Sequence, residues 1–135
     1  MALDGYELVE SINLARDDND NNALLLTTYS KKIVVLAIGD AEAHSIMLEL
    51  NKKKYARPLT HDLMKNMLIA VNYKIERALI TDLKNNTYYA LIRIVSEDGK
   101  NTAHLDARPS DAIAMALRFE AEIYVNENLL TQISD

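Results

Sequence analysis

The hydrophobic pattern of this chain switches twice from the period of a strand to the period of a helix, which restricts the folds it can adopt. Short apolar or alternating runs predict strands at residues 7–14, 23–29, 33–38, 75–82, 87–95 and 102–107. After residue 41, and again after Pro109, apolar side chains recur at three- and four-residue intervals, which predicts helices. Because hairpins join most of the strands, we expect an α+β fold with a mixed, mostly antiparallel sheet and packed helices.

The order of three strands and a helix occurs twice, and it predicts an internal duplication of a three-strand-plus-helix unit. Shifting the sequence by 69 positions places Glu42 over Asp111 and Ala43 over Ala112. If pseudo-symmetry relates the two units, the carboxylates of Glu42 and Asp111 are expected to face one cleft. Another helix is predicted between the units, starting near Thr60, with a buried stripe of Leu63, Met64, Met67, Leu68 and Val71.

Length and composition indicate one globular domain over residues 1–135. The chain is 49% hydrophobic and 26% charged, which excludes a disordered or collagen-like protein. It has no cysteine, so a disulfide framework, a thiolate zinc site and a cysteine nucleophile are all excluded. The net charge of -5 is unusual for a nucleic-acid binder. The dense basic patch of Lys52, Lys53, Lys54 and Arg57 is interpreted as a solvated loop after a helix.

Two features of the sequence favour a cytoplasmic protein without membrane contact. The N-terminal segment has neither the basic region nor the apolar region of a signal peptide. The longest aliphatic run, residues 33–38, is too short to span a bilayer.

Polar residues gather at the start of the second predicted helix, in residues 57–62. There His61 and Asp62 would present an imidazole and a carboxylate, which can transfer protons or bind a divalent metal. Arg57 is a candidate phosphate ligand. The structural alternative is that Thr60 caps the helix and Asp62 complements the helix dipole. On the local pattern alone the structural interpretation is preferred.

A second polar segment, residues 106–111, runs from a strand end into the third predicted helix. Asp106 and Asp111 are candidate ligands for Mg²⁺ or Mn²⁺, which prefer carboxylate oxygens. Arg108 could neutralise a phosphate, and Ser110 could cap the helix, bind phosphate or act as a nucleophile. A helix start with a structural Arg–Asp pair explains the same residues, and the local pattern leaves both interpretations open.

Taken in order along the chain, these segments resemble the bifunctional nuclease domain family. The matching stretches are Ile38-Gly39 with Glu42-Ala43, residues 57–63, residues 80–83, residues 105–118 and residues 123–125. The likeness extends from about Glu7 to Leu130, and the pair of Arg-Pro motifs makes it specific.

The resemblance implies a self-associating α+β domain that cleaves RNA and DNA with the assistance of a metal, an activity attributed to plant members of the family. It implies a catalytic set of His61, Asp62, Arg108, Ser110 and Asp111. It also implies metal ligands at Glu42, Asp106 and Asp111. The expected ion is Mg²⁺ or Mn²⁺, no organic cofactor is expected, and the expected partners are RNA or DNA and further copies of the chain.

The alternative hypothesis is a non-catalytic oligomeric module that binds a small anionic ligand or a protein partner. In that case the segment from Arg108 to Asp111 is an architectural clasp that joins parts of the fold. The residue chemistry is compatible with both hypotheses, and the family resemblance favours the nuclease.

Overall fold

Strands and helices follow one another in the order that the hydrophobic pattern predicts. The computed structural model describes residues 3–53 and 56–133, and within them eight strands and three α-helices are found. The strands are β1 Tyr6–Arg16, β2 Asn22–Thr28, β3 Lys32–Ile38, β4 Tyr73–Lys84, β5 Thr87–Ser96, β6 Thr102–Ala107, β7 Glu122–Asn126 and β8 Thr131–Gln132. The helices are α1 Asp40–Leu50, α2 Thr60–Ala70 and α3 Pro109–Arg118, and a 3₁₀ turn covers Glu127–Leu129. None of the helices in the described segments is long and apolar enough to cross a membrane.

The strands form one sheet in the order β6-β5-β4-β7-β1-β2-β3-β8. Neighbouring strands are antiparallel except β4 and β7, which are parallel. The prediction of a mixed, mostly antiparallel sheet is therefore confirmed. The meanders β1-β2-β3 and β4-β5-β6 extend in opposite directions from β7, and each is followed by a helix, although α2 separates α1 from β4. This arrangement has the order expected of a duplicated unit.

Helix α3 is the centre of the hydrophobic core. Residues 112–116 are all buried, and three of them are alanines, whose small side chains allow the helix to approach the sheet closely. The same core contains Leu24 and Leu36 from one meander and Ile80 and Ile92 from the other. A single core therefore joins both halves of the chain, and α1 and α2 both pack against α3.

A bulge in β1 changes which of its side chains face the core. The pairing with β2 shifts between Val9 and Ser11, so that Glu10 is the extra residue. Val9 packs on the core before the bulge, and Ile12 and Leu14 do so after it. Glu10 therefore interrupts the alternation of apolar residues along β1, because an added residue reverses the alternation of a strand.

The predicted burial of the α2 stripe is wrong for most of its residues. Leu68 packs on the core, but Leu63 is 49% exposed and Met67 is 57% exposed, and Met64 and Val71 are also exposed. The helix instead buries His61, its one buried residue in the described part of the chain. Periodicity identifies the apolar face of a helix but does not reveal what that face contacts.

Two matched leucine truncations test this difference in burial. We expect Leu36→Ala, which removes a side chain that is 1% exposed, to lower the free energy of unfolding by about 2–5 kcal/mol. The same truncation in α2, Leu63→Ala, should change the free energy of unfolding of a single chain by about 0.5 kcal/mol or less, because Leu63 is exposed unless another molecule covers it. Urea unfolding of both variants measures the two changes. A large loss from Leu63→Ala would mean that the α2 stripe is covered in solution.

Candidate functional site

Each helix in the described segments carries a carboxylate at its third residue: Glu42 in α1, Asp62 in α2 and Asp111 in α3. Negative charge is favourable there, because the first turn of a helix has unpaired N–H groups and the positive end of the dipole. Since α1 and α2 pack on α3, hydrogen bonds can connect the starts of all three helices. The site is built from these connections.

The guanidinium of Arg108, the residue directly before α3, joins α1 to α3. Its Nε donates to Asp111 Oδ2 at 2.8 Å, and its terminal nitrogen donates to Glu42 Oε2 at 3.3 Å. The two carboxylates that the sequence repeat predicted to face one cleft are therefore brought together. The hydrogen bond to Asp111 is the main cause that raises the pKa of Arg108 above its usual value. Its side chain is nevertheless 66% exposed, so the cation is accessible from solution.

His61 joins α2 to both other helices, because each of its ring nitrogens has a partner. Nδ1 lies 2.6 Å from the hydroxyl of Ser45 in α1, and Nε2 lies 2.9 Å from Asp111 Oδ1. An ionised carboxylate only accepts hydrogen bonds, so Nε2 carries a proton and donates a hydrogen bond to Asp111. In the neutral ring Nδ1 then accepts from Ser45, whereas in the imidazolium it donates.

Asp111 is held as a carboxylate by its neighbours. Burial alone would raise the pKa of Asp111, but hydrogen bonds from Arg108 and His61 outweigh burial and keep the pKa below its usual value. Five side chains thus form one connected series, Ser45–His61–Asp111–Arg108–Glu42. It combines a group that can move protons with a cation that can bind an anion.

A pocket of about 340 Å³ opens beside this series. Its lining consists of Ala41, Glu42, His44, Ser45, Leu59, Thr60, His61, Arg108 and Asp111. We call it the His61 pocket. Arg108 and Glu42 also line a neighbouring cavity of about 320 Å³, and Ser110 is one of the other residues that line it. The buried hydroxyl of Ser110 therefore belongs to a different cavity from His61.

Asp62 takes part in a separate ion pair. Its Oδ1 accepts from Arg118 Nε at 2.8 Å, and its Oδ2 accepts from the backbone N–H of Leu59 at 2.9 Å. Burial opposes the ionised form, but the bonds from Arg118 and Leu59 prevail and lower the pKa of Asp62. The residue before the helix is Leu59 and not Thr60, so the expected cap at Thr60 is wrong. Both oxygens of Asp62 thus have structural partners.

Asp106 does not join the other candidate ligands. In the pairing of β6 with β5 it lies opposite Leu91, whereas its neighbours Leu105 and Ala107 lie opposite the core residues Ile92 and Ala90. Side chains alternate between the faces of a sheet, so Asp106 is on the face away from α3. Its position in the motif placed it near Asp111 in sequence but not in space.

The chemistry of Glu42 and Asp111 suits a hard cation, but their arrangement does not. Carboxylates are preferred ligands of Mg²⁺ and Mn²⁺. Within residues 3–53 and 56–133, however, no three His, Asp or Glu side chains are grouped so as to hold a metal ion. The guanidinium of Arg108 binds both carboxylates, so as placed they fit a cationic side chain.

Three residues that shape the site were not predicted as site residues from the sequence. Ser45 and Arg118 are polar residues on otherwise buried helix faces, a signal that could have identified both. Gly39 precedes α1, and a Cβ atom there would overlap the carboxylate of Glu42. Glycine at this position therefore leaves room for Glu42 to fold back over the helix start.

Comparison with known proteins agrees with the fold and the motifs. An uncharacterised protein of Mycobacterium tuberculosis is 35% identical over 128 residues, which are 95% of this chain and 75% of that protein. Bifunctional nuclease 1 of Oryza sativa subsp. indica is 31% identical over 119 residues, which are 84% of this chain and 35% of the plant protein. Bifunctional nuclease 2 of Arabidopsis thaliana is 28% identical over 85 residues, 62% of this chain and 26% of that protein.

The bifunctional nuclease domain itself matches residues 23–135. That range includes all three helices and the complete series from Glu42 to Asp111. Because the match covers most of the chain and agrees with the two Arg-Pro motifs, this chain belongs to the bifunctional nuclease domain family.

Proposed function

We propose that this chain hydrolyses phosphodiester bonds in RNA or DNA and that the reaction takes place in the His61 pocket. The observation that carries the proposal is the connected series of Arg108, Asp111 and His61 along this pocket. It places a phosphate-binding cation beside groups that can transfer a proton. Family membership and the names of the plant relatives support the same class of reaction.

In the proposed reaction Arg108 binds the scissile phosphate. The planar guanidinium matches two phosphate oxygens, and its exposed position allows it to turn from the carboxylates to a substrate. Asp111 accepts a proton from water as the water oxygen attacks phosphorus, the bond to the leaving oxygen breaks, and the leaving oxygen takes a proton from solvent. His61 holds Asp111 in place through its Nε2–H, and Ser45 sets the orientation of the ring.

Substrate binding would also change the basicity of Asp111. The hydrogen bond from Arg108 is the strongest effect that lowers the pKa of Asp111 against its burial. When the guanidinium turns to a phosphate, that effect weakens and the pKa rises. The carboxylate therefore becomes a better base when the pocket is occupied.

The remaining sequence-based assignments are kept as predictions. They include dependence on Mg²⁺ or Mn²⁺, the metal-ligand role of Asp106, the catalytic roles of Asp62 and Ser110, and a cytoplasmic location. The geometry favours a positioning role for Asp62, because both of its oxygens bind groups of the fold itself.

Cleavage of labelled single-stranded RNA and of plasmid DNA tests the proposal. We expect the wild type to cut and Asp111→Asn to lose at least about 100-fold in rate, since it can no longer accept the proton. Asp106→Asn is the matched comparison, because it removes the same charge on the opposite face of the sheet. A reaction confined to the His61 pocket requires the wild-type rate, whereas the metal-ligand role predicted for Asp106 requires a loss. Parallel reactions with Mg²⁺, Mn²⁺ and EDTA test the metal.

Equal cutting by the wild type and Asp111→Asn would mean that the activity belongs to a contaminant or to another site. No cutting by the wild type with any metal or substrate would overturn the nuclease proposal itself. Loss of activity in Asp106→Asn alone would move the site to the opposite sheet face. Circular dichroism of each variant confirms that the fold is intact.

A second candidate function, a self-associating binding module, is favoured by the exposed apolar stripe of α2. Leu63, Met64, Met67 and Val71 are all at least two-fifths exposed, and exposed apolar patches often mark interfaces. In this proposal copies of the chain meet through α2, and the segment from Arg108 to Asp111 is a clasp between α1 and α3. Self-association is compatible with the nuclease as well.

Light scattering after size-exclusion chromatography tests the role of α2. We expect the wild type to run as an oligomer and Met67→Lys to reduce its mass, because a buried lysine in an apolar contact is unfavourable. Lys100→Met, a change on an exposed hairpin, serves as the control and should leave the mass unchanged. An oligomer of unchanged mass in Met67→Lys would place the contact elsewhere.

The pair of Asp62 and Arg118 gives a pH-dependent test of the positioning role. The pKa of Asp62 is lowered in the folded state, so its contribution to stability is present above about pH 4 and is lost as the pH falls further. We expect Asp62→Asn to lower the free energy of unfolding by about 1 kcal/mol at pH 7, because the side chain of Asp62 is 38% exposed and solvent screens the pair. The difference from the wild type should shrink at pH 3. A difference that is the same at both pH values would contradict this account.

A further inference from the structure

A second cavity, larger than the His61 pocket, forms a groove on the other side of Leu59. Its volume is about 850 Å³, and it lies between the end of α1, the start of α2 and the end of α3. Its charged lining residues are Glu49, Lys52, Lys53, Arg57, Asp62, Lys65, Arg118 and Glu120. We call this cavity the basic groove. Lys54, which the sequence placed in the same basic patch, lies outside the described residues.

The charges in the groove do not cancel. Of the five cations, Lys52 pairs with Glu49 and Arg118 pairs with Asp62. Lys53, Arg57 and Lys65 then face one remaining acid, Glu120. Among the described residues no carboxylate forms an ion pair with any of these three cations. The groove therefore carries a net positive charge on a chain whose net charge is -5.

Two of the cations are held in place by the fold. Arg118 is 3% exposed on its side chain, and its guanidinium also donates to the backbone oxygen of Ala114 at 3.1 Å. The ammonium of Lys65 lies 5.7 Å from the centre of the Phe119 ring, within range of a cation–π interaction. Their charges are fixed before any ligand binds, which reduces the entropy lost on binding.

The basic groove and the His61 pocket meet at the start of α2. Leu59 lines both cavities, and the adjacent residues His61 and Asp62 face one cavity each. A chain of phosphates that enters the His61 pocket can therefore continue past Leu59 into the groove. A single strand is flexible enough to pass from one cavity to the other, and positively charged grooves are the usual binding sites of single strands.

We propose that the basic groove binds the phosphate backbone of single-stranded nucleic acid and guides it to the His61 pocket. This inference rests on the proposed nuclease function, because the groove is assigned to the substrate of that reaction. Lys53, Arg57 and Lys65 bind the phosphates, and the ion pair between buried Arg118 and partly exposed Asp62 holds the groove wall. The groove explains how an acidic chain can bind a polyanion, since local charge and not net charge determines phosphate contacts.

Binding of a fluorescent single-stranded oligonucleotide, measured by anisotropy, tests the groove. All proteins carry Asp111→Asn, so that the oligonucleotide is not consumed. We expect Lys53→Glu with Lys65→Glu to weaken binding by about ten-fold or more and to reduce the slope of log affinity against log salt by about 1.4, since each lost phosphate contact accounts for about 0.7. Lys84→Glu with Lys100→Glu makes the same change in net charge on two exposed hairpins and should weaken binding by less than about three-fold.

Equal weakening by the two double variants would overturn the groove proposal, because net charge alone would then explain it. Absence of salt-dependent binding by the parent protein would overturn it as well. Arg57→Gln, a milder change, keeps the test valid if the double variant does not fold. Cleavage by the protein with intact Asp111 is measured separately, so cutting without a groove effect refutes the groove alone, and binding without cutting refutes the nuclease alone.

Discussion

The burial of α3 is the constraint on which the rest of the structure depends. Its middle is sealed by the sheet and by the other two helices, so charges can be accommodated only at its ends. At the start of α3, Arg108 forms an ion pair with α1 and Asp111 accepts a hydrogen bond from α2. At the end of α3, Arg118 forms an ion pair with α2. The ionic contacts of the central helix thus position its neighbours, and they also form the walls of the His61 pocket and the basic groove.

Stability and chemistry are linked in this arrangement. His61 and Arg118 are polar groups in a largely apolar interior, and their burial is tolerated only because partners accept or donate their hydrogen bonds. Among the described residues no buried side-chain nitrogen or oxygen lacks a partner. Substitutions in the series from Ser45 to Glu42 therefore affect folding and reactivity together, and unfolding measurements must accompany every assay.

Much of the fold and part of the site could be predicted from the sequence. The α+β class followed from periodicity, and the proximity of Glu42 to Asp111, which Arg108 bridges, followed from the predicted repeat. The contact of His61 with Asp111 joins residues 50 positions apart and depends on how α2 packs, which no local pattern contains. The side chain of Asp106 was placed wrongly for the opposite reason. Asp106 is close to Asp111 in sequence, but side chains alternate along β6, so Asp106 lies on the other face of the sheet.

The predicted repeat places Gly39, directly before α1, over Arg108, directly before α3, 69 positions later. A side chain at Gly39 would collide with the carboxylate that Arg108 binds. The two helix starts are therefore not interchangeable, because an arginine at position 39 would require Glu42 to leave its place. One cation is shared between two carboxylates, and the cluster is asymmetric although the order of strands and helices around it repeats.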